Sequence, residues 1–87
     1  MSTDEIRAAV KQSVANIANL DAREIGDDAS YKDDLQLDSL TILEIAVDAE
    51  YKFQLNLTED DLASIRTVAD TVRIVEQYRA APTVVAA

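Results

Sequence analysis

The segment DSLTILEIAVDAEYKF, residues 38–53, joins a polar start to an apolar pattern that decides the fold. Asp and Ser are favoured at helix starts, because a side-chain oxygen accepts a hydrogen bond from an unpaired backbone N–H. Beyond them, apolar residues recur at helical spacing rather than with the alternation of a strand: Ile42, Ile45, Ala46, Ala49 and Phe53. The segment is therefore predicted to be an amphipathic helix that begins near Ser39 and buries one stripe.

A second apolar row follows another face of the same helix: Leu40, Leu43, Val47 and Tyr51. One helix does not readily bury two faces, so we expect this row to be partly exposed. Beside Glu44 and Asp48, it would suit a protein partner, although ordinary surface exposure explains each residue equally well. Ser39 likewise has two interpretations. It is either a simple N-cap or, if Asp38 fills that role, a free hydroxyl at an exposed helix start.

The composition excludes several classes of protein. The 87 residues include no Cys and no His, so disulfides, thiolate metal sites and the usual general base are excluded. A single Gly and a single Pro argue against a turn-rich β fold, and 48% hydrophobic residues argue against disorder. No apolar run suggests a membrane span and no signal peptide is evident. A cytoplasmic location is expected for such a cysteine-free chain.

Acidic residues are concentrated around the Ser39 segment. Residues 21–61 hold 13 acidic and 3 basic side chains, a net charge of −10, whereas the whole chain has −9. Nucleic-acid binding is disfavoured, because phosphates are neutralised by Lys and Arg. A basic protein surface is the expected partner, attracted by long-range electrostatics. The alternative is an acidic surface that only keeps the domain soluble.

Three further helices are predicted around this one. The first opens at Ser2 or Thr3, ends near Asn19 and buries a row at helical spacing: Ile6, Val10, Val14 and Ile17. A short third helix opens at Thr58, with Leu62 and Ile65 on its apolar side. The fourth opens at Thr67, with Asp70 as a capping-box partner. It buries Val68, Val72 and Val75, with Ile74 and Tyr78 near the edge.

The connection between the first two helices, residues 20–38, is long for a compact domain and must be functional or held down by packing. Apolar anchors are spread through it: Leu20, Ile25, Tyr31, Leu35 and Leu37. No calcium site is predicted there, since an EF-hand loop counted from Asp27 would place Lys32 and Asp38 where Gly and Glu are needed. The predicted fold is all-α, a small four-helix bundle with one short helix and this long first loop. It spans residues 1–79, followed by a flexible tail at 80–87.

This arrangement resembles the acyl carrier proteins over about residues 4–79. Their hallmark, Asp-Ser-Leu at the head of the second of four helices with a Glu soon after, is matched by Asp38, Ser39, Leu40 and Glu44. The resemblance implies that Ser39, flanked by Asp38 and Leu40, carries 4′-phosphopantetheine. A phosphopantetheinyl transferase would attach it from coenzyme A, and an acyl chain on its thiol could lie between helices two and three.

The resemblance further implies a monomeric carrier rather than an enzyme, with no metal site of its own. Its partners would be the transferase and basic-surfaced acyltransferases, ketosynthases or related enzymes, contacted through Leu40, Glu44, Val47, Asp48, Glu50 and Tyr51. Gln36 and Leu37 replace a Gly and a small residue of fatty-acid carriers, and Tyr51 and Lys52 replace acidic residues. These departures favour a polyketide or other specialised pathway over fatty-acid synthesis.

Two other functions are also compatible with parts of this sequence. The first is a helical interaction domain that uses the acidic face to bind a partner and is never modified. The second is a hydrolase using Asp33, Asp34 and Asp38. Carboxylate catalysis needs a cleft that separates the pKa values of paired acids, and so small a bundle offers little room for one.

Overall fold

The computed structural model describes residues 2–80, which form four α-helices and no β-strand. The helices are α1 (Thr3–Ala18), α2 (Ser39–Phe53), α3 (Glu59–Ser64) and α4 (Val68–Ala80). The long helix α1 packs against both α2 and α4. The predicted all-α bundle with one short helix is therefore confirmed. Of the predicted tail at residues 80–87, Ala80 closes α4 and the remainder lies outside the described residues.

Helix starts follow the predicted capping chemistry. In α1 the hydroxyl of Ser2 accepts from the Glu5 N–H, and the Glu5 carboxylate accepts from the Ser2 N–H. Asn19 ends the same helix with a left-handed backbone, φ 59°. Thr67 and Asp70 exchange the equivalent pair of hydrogen bonds at the start of α4, at 3.0 and 3.1 Å. Each pair satisfies backbone donors that have no partner inside a helix.

The core combines the predicted stripes with a few residues that the structure places differently; in α2 the predicted core residue Ile42 is only half-buried. Ile6, Val10 and Val14 of α1 are buried, while Ile17 is only half-buried. In α4, Ile74 was predicted at the edge, but it is buried beside Val75. α4 packs against α1 and also contacts α2, so its core-facing side is wider than the single row predicted from the sequence.

The first connection is held down mainly by two buried anchors, Ile25 and Tyr31. It contains a short 3-10 helix, Ala22–Glu24, and its predicted anchor Leu20 is exposed, because the chain has already left α1 there. Further along, an isolated antiparallel bridge ties the loop to the α3–α4 connection. The Tyr31 N–H donates to the Arg66 carbonyl at 3.0 Å, and the Val68 N–H donates to the Ala29 carbonyl at 3.0 Å.

A hydrogen bond inside the core fixes this loop against α4. The hydroxyls of Tyr31 and Thr71 lie 2.6 Å apart, and both residues are almost completely buried. Buried polar groups are tolerated when they are paired in this way. Burial raises the pKa of Tyr31 to about 12 even though the Thr71 hydroxyl opposes the shift. The loop that leads to α2 is therefore part of the folded core.

One hydrogen bond holds the α2–α3 connection in place, and another ties α3 to α4. The Glu50 carboxylate accepts from the Leu57 N–H at 2.9 Å, and the Tyr78 hydroxyl donates to the Asp61 carboxylate. The Tyr78 hydrogen bond holds the pKa of Asp61 below its usual range.

No helix within residues 2–80 is long and apolar enough to cross a membrane. In the same residues, no group of three acidic side chains is arranged to hold a metal ion.

Candidate functional site

The start of α2 is built so that Asp38, and not Ser39, is the cap. The Asp38 carboxylate accepts from the Thr41 N–H at 2.9 Å, and its carbonyl accepts from the Ile42 N–H at 3.0 Å. Ser39 is the first helical residue and is exposed. Within residues 2–80 its hydroxyl has no hydrogen-bond partner. The second interpretation of Ser39, a free hydroxyl at a helix start, is the one that the structure supports.

The backbone around Ser39 offers further unpaired donors. The N–H groups of Ser39 and Leu40 have no acceptor among the described residues, as expected for the first turn of a helix. These donors and the positive end of the helix dipole favour an anionic oxygen beside Ser39. A phosphodiester joined to the Ser39 oxygen would therefore be stabilised by these donors and by the helix dipole.

Hydrogen bonds from the Thr41 backbone hold the pKa of Asp38 below its ordinary value. The carboxylate stabilises the fold at pH values above its unfolded pKa, and this contribution disappears as the pH falls through the lower folded value. We therefore expect Asp38→Asn to lower Tm most at neutral pH, with the difference from wild type shrinking below about pH 4. Thermal unfolding across pH measures it. A difference that does not change with pH would contradict this role.

The matched control is Asp28→Asn. Its carboxylate makes no hydrogen bond or ion pair in the described part of the chain, so its substitution should leave the pH profile of Tm close to wild type.

The approach to Ser39 is fixed by the core. The Leu37 N–H donates to the Tyr31 carbonyl at 2.8 Å, which links the residue before Asp38 to a buried anchor. Gln36 has a left-handed backbone, φ 56°. Glycine adopts this conformation without strain. Gln36 therefore occupies a backbone conformation that favours glycine.

A cleft of about 510 Å³ opens directly beside Ser39, between α2 and α3. Its apolar wall consists of Ile42, Leu43, Ala46, Leu62, Ala63 and Ile65. Lys32 and Arg66 also line it, from the first connection and the α3–α4 connection. Neither basic residue was singled out by sequence reasoning, because no local pattern signals their meeting. The antiparallel bridge between Ser30 and Thr67 brings together the segments that carry them.

The second apolar row of α2 is exposed, as predicted. The exposed fractions are 67% for Leu40, 45% for Leu43, 51% for Val47 and 84% for Tyr51. The carboxylate-bearing Glu44 is also exposed on this surface. A shallow groove beside the row is completed by Ile17 of α1. We call Leu40, Glu44, Val47 and Tyr51 the α2 face.

Asp48 and Glu50 lie at the two sides of the α2 face and are both half-buried. Asp48 lies 3.4 Å from the ammonium group of Lys52, which donates to the buried Ser13 hydroxyl at 3.0 Å. The Glu50 carboxylate is occupied by the Leu57 N–H. From the sequence, these two carboxylates were predicted to bind partners in the same way as Glu44. Their surroundings, Lys52 with Ser13 and the Leu57 N–H, are formed only in the folded chain.

The profile of the phosphopantetheine attachment site family matches residues 8–75. An acyl carrier protein of Rhodococcus erythropolis is 38% identical over 77 residues, covering 88% of this chain and 85% of that one. The meromycolate extension acyl carrier protein of Mycobacterium tuberculosis is 34% identical over 77 residues, covering 88% of this chain and 67% of that protein. These matches include the whole of the Ser39 region.

Solved structures agree with the sequence matches. The apo doublet acyl carrier protein from prodigiosin biosynthesis superposes with a TM-score of 0.76 at 28% identity, over 88% of this chain and 38% of that one. The acyl carrier protein of Enterococcus faecalis gives 0.73 at 26% identity, over 90% of this chain and 99% of that one. Because the family profile covers most of the chain and these relatives match along nearly its whole length, the chain belongs to the acyl carrier protein family, non-enzymatic carriers of covalently bound 4′-phosphopantetheine.

Proposed function

We propose that Ser39 is the residue to which 4′-phosphopantetheine is attached. The observation that supports this proposal lies at the start of α2. Asp38 caps the helix, while the exposed Ser39 hydroxyl has no hydrogen-bond partner in residues 2–80. The unpaired N–H groups of the first turn would then face the phosphodiester. Leu40, next in the chain, is exposed beside it and available to the enzyme that modifies the site.

The chemistry of attachment needs a separate phosphopantetheinyl transferase. In the transfer, the Ser39 oxygen forms a bond to the β-phosphorus of coenzyme A, and the bond from that phosphorus to 3′,5′-ADP breaks. The serine proton goes to a base on the transferase, since the chain has no His to accept it. Mg²⁺ in the complex with the transferase would stabilise the charge on the departing phosphate, and the exposed Asp38 carboxylate would help to hold it.

Once attached, the arm supplies a terminal thiol that holds acyl groups as thioesters. We propose that the chain, as a cytoplasmic monomer, shuttles such intermediates between the enzymes of a biosynthetic pathway. The departures at Gln36 and Leu37 favour a polyketide or other specialised pathway. One relative is named for meromycolate extension and another for prodigiosin biosynthesis, so fatty-acid biosynthesis is the alternative setting to a specialised pathway.

The α2 face is the proposed docking surface for the transferase and for acyltransferases, ketosynthases or similar enzymes. Leu40, Val47 and Tyr51 expose apolar area that a partner can cover, and Glu44 supplies charge for a basic surface. Asp48 and Glu50 extend the negative potential at its sides, although their carboxylates already have neighbours within the bundle. An apolar strip with acidic flanks suits a shallow groove with a basic rim.

The test is to incubate the purified chain with coenzyme A, Mg²⁺ and a broad-specificity phosphopantetheinyl transferase. Intact mass spectrometry should show one pantetheinyl group per chain, and peptide mapping should place it on Ser39 rather than on Ser2, Ser13, Ser30 or Ser64. An adduct on another serine would overturn the assignment. No adduct, under conditions that modify a known carrier, would instead favour the unmodified interaction domain.

A further inference from the structure

Most of the basic side chains of this acidic protein form ion pairs with carboxylates, but some do not. Five of the 8 Lys and Arg residues lie within 4.0 Å of a carboxylate: Arg7, Lys11, Arg23, Lys52 and Arg73. In residues 2–80 the other three, Lys32, Arg66 and Arg79, make no ion pair. Because the chain has 17 acidic residues, a basic side chain without an ion-pair partner is unexpected in it.

Two of these three unpaired cations line the same cleft, the one that opens beside Ser39. Their backbones are held close together by the antiparallel bridge, in which the Tyr31 N–H donates to the Arg66 carbonyl at 3.0 Å. The Arg66 N–H is fixed in turn by the Asp70 carboxylate at 3.1 Å. Both side chains are exposed, so their charged ends are accessible while the segments that carry them are anchored.

The rest of the lining determines what such a site accepts. Asp33 is the single carboxylate among the residues that line the cleft, so these residues carry a net charge of +1 within a strongly acidic segment. The wall formed by α2 and α3 is apolar, including Ile42, Leu62 and Ile65. A cleft with an apolar wall and two cations fits an anionic oxygen group joined to an aliphatic chain.

We propose that Lys32 and Arg66 bind an anionic oxygen group in the cleft beside Ser39. Two sources supply this chemistry: the phosphodiester of the pantetheine arm, and the carboxylate of an acyl chain that ends in a carboxyl group. The proposal rests on the proposed function, since both groups reach the cleft through Ser39. It adds a preference for carboxylated over neutral acyl chains of the same length if the carboxylate is the ligand.

The experiment compares the holo protein loaded with a glutaryl group, labelled with ¹³C at its free carboxyl, and with a pentanoyl group of equal length. NMR titration of the ¹³C signal gives the carboxyl pKa, and the ³¹P signal reports on the arm. The test variant is Lys32→Gln combined with Arg66→Gln. The control is Arg79→Gln, the third unpaired cation, which is exposed and does not line the cleft.

A carboxylate ligand predicts a glutaryl pKa about 1 pH unit below that of the free thioester in wild type and in Arg79→Gln, and restored in the double variant. A phosphodiester ligand predicts instead a ³¹P signal that moves in the double variant alone, with or without an acyl group. Either result supports the site. Overturning it requires the double variant to match wild type in both signals.

Failure of the proposed function is recognised separately. A chain that accepts no arm is titrated unmodified with glutarate while the Arg66 Nε–H resonance is followed. A saturable change that is absent when Lys32 is replaced by Gln supports the anion site, and no change overturns it.

Discussion

Replacing Ser39 by alanine is expected to abolish the addition of phosphopantetheine completely while leaving the fold intact. The hydroxyl is the only group of this side chain that can bond to phosphorus, so its loss leaves the transferase without an acceptor. The fold should tolerate the change because Asp38 provides the cap, and alanine is favoured in helices. We therefore expect no mass increase and an unchanged far-UV circular dichroism spectrum.

The control for this experiment is Ser64→Ala. Ser64 is the last residue of α3, the helix that lies opposite Ser39 across the cleft. Its hydroxyl donates to the Asp61 carbonyl at 2.9 Å. This variant should be modified as completely as wild type. A pantetheinyl adduct that persists in Ser39→Ala would contradict the proposed attachment site, and loss of the adduct in both variants would point to damage elsewhere in the surface that the transferase binds.

Replacing Tyr31 by alanine is expected to have the largest effect on stability. Its ring is fully buried in the core, and truncating a large aromatic residue there costs about 3–5 kcal/mol. Small domains are stable by only about 5–15 kcal/mol, so this variant should be close to unfolding at room temperature. Tyr31→Phe keeps the ring and removes only the bond to the Thr71 hydroxyl, which should cost about 1–2 kcal/mol. Urea unfolding measures both values.

The same pair of variants tests the alkaline stability of the protein. Because the fold raises the pKa of Tyr31 from 10.0 to about 12, the neutral hydroxyl stabilises the native state below pH 10. This contribution is lost as the pH rises toward 12. Tyr31→Phe should therefore lose less stability than wild type over this range. Tyr78 also has a raised pKa, mainly from the Asp61 carboxylate, so part of the alkaline loss remains in the variant.

Tyr51→Ala is the matched control for Tyr31→Ala. Tyr51 is the most exposed large apolar residue of the described chain, and its removal should change the free energy of unfolding by no more than about 0.5 kcal/mol. Equal losses for the two variants would contradict the burial pattern on which the core description rests.

Local sequence patterns were sufficient to predict the helices and the position of Ser39. Ser2, Asp38 and Thr58 each precede an apolar periodic run and cap it in the structure. The two apolar rows of α2 were separable by spacing alone, and one of them is exposed. These predictions succeed because capping and helical periodicity depend on residues within about four positions of one another.

Contacts between distant parts of the chain lay beyond those patterns. Examples are the burial of Ile74, the exposure of Leu20 and the hydrogen bond that the Leu57 N–H donates to the Glu50 carboxylate. Each depends on which helix or loop lies opposite. No periodicity in one segment contains that information.

The sequence by itself determined an all-α bundle, an acidic central segment and a serine at the head of α2, whereas the structure showed that Asp38 is the cap and that the Ser39 hydroxyl is free. The tertiary structure alone decided what surrounds that serine. It brought together, at one backbone bridge, the segments that carry Lys32 and Arg66, 34 positions apart in the chain, and placed α3 opposite α2 to form the cleft. The physical reason is that caps and stripes are local, whereas a cleft exists only after the core has packed and fixed its walls.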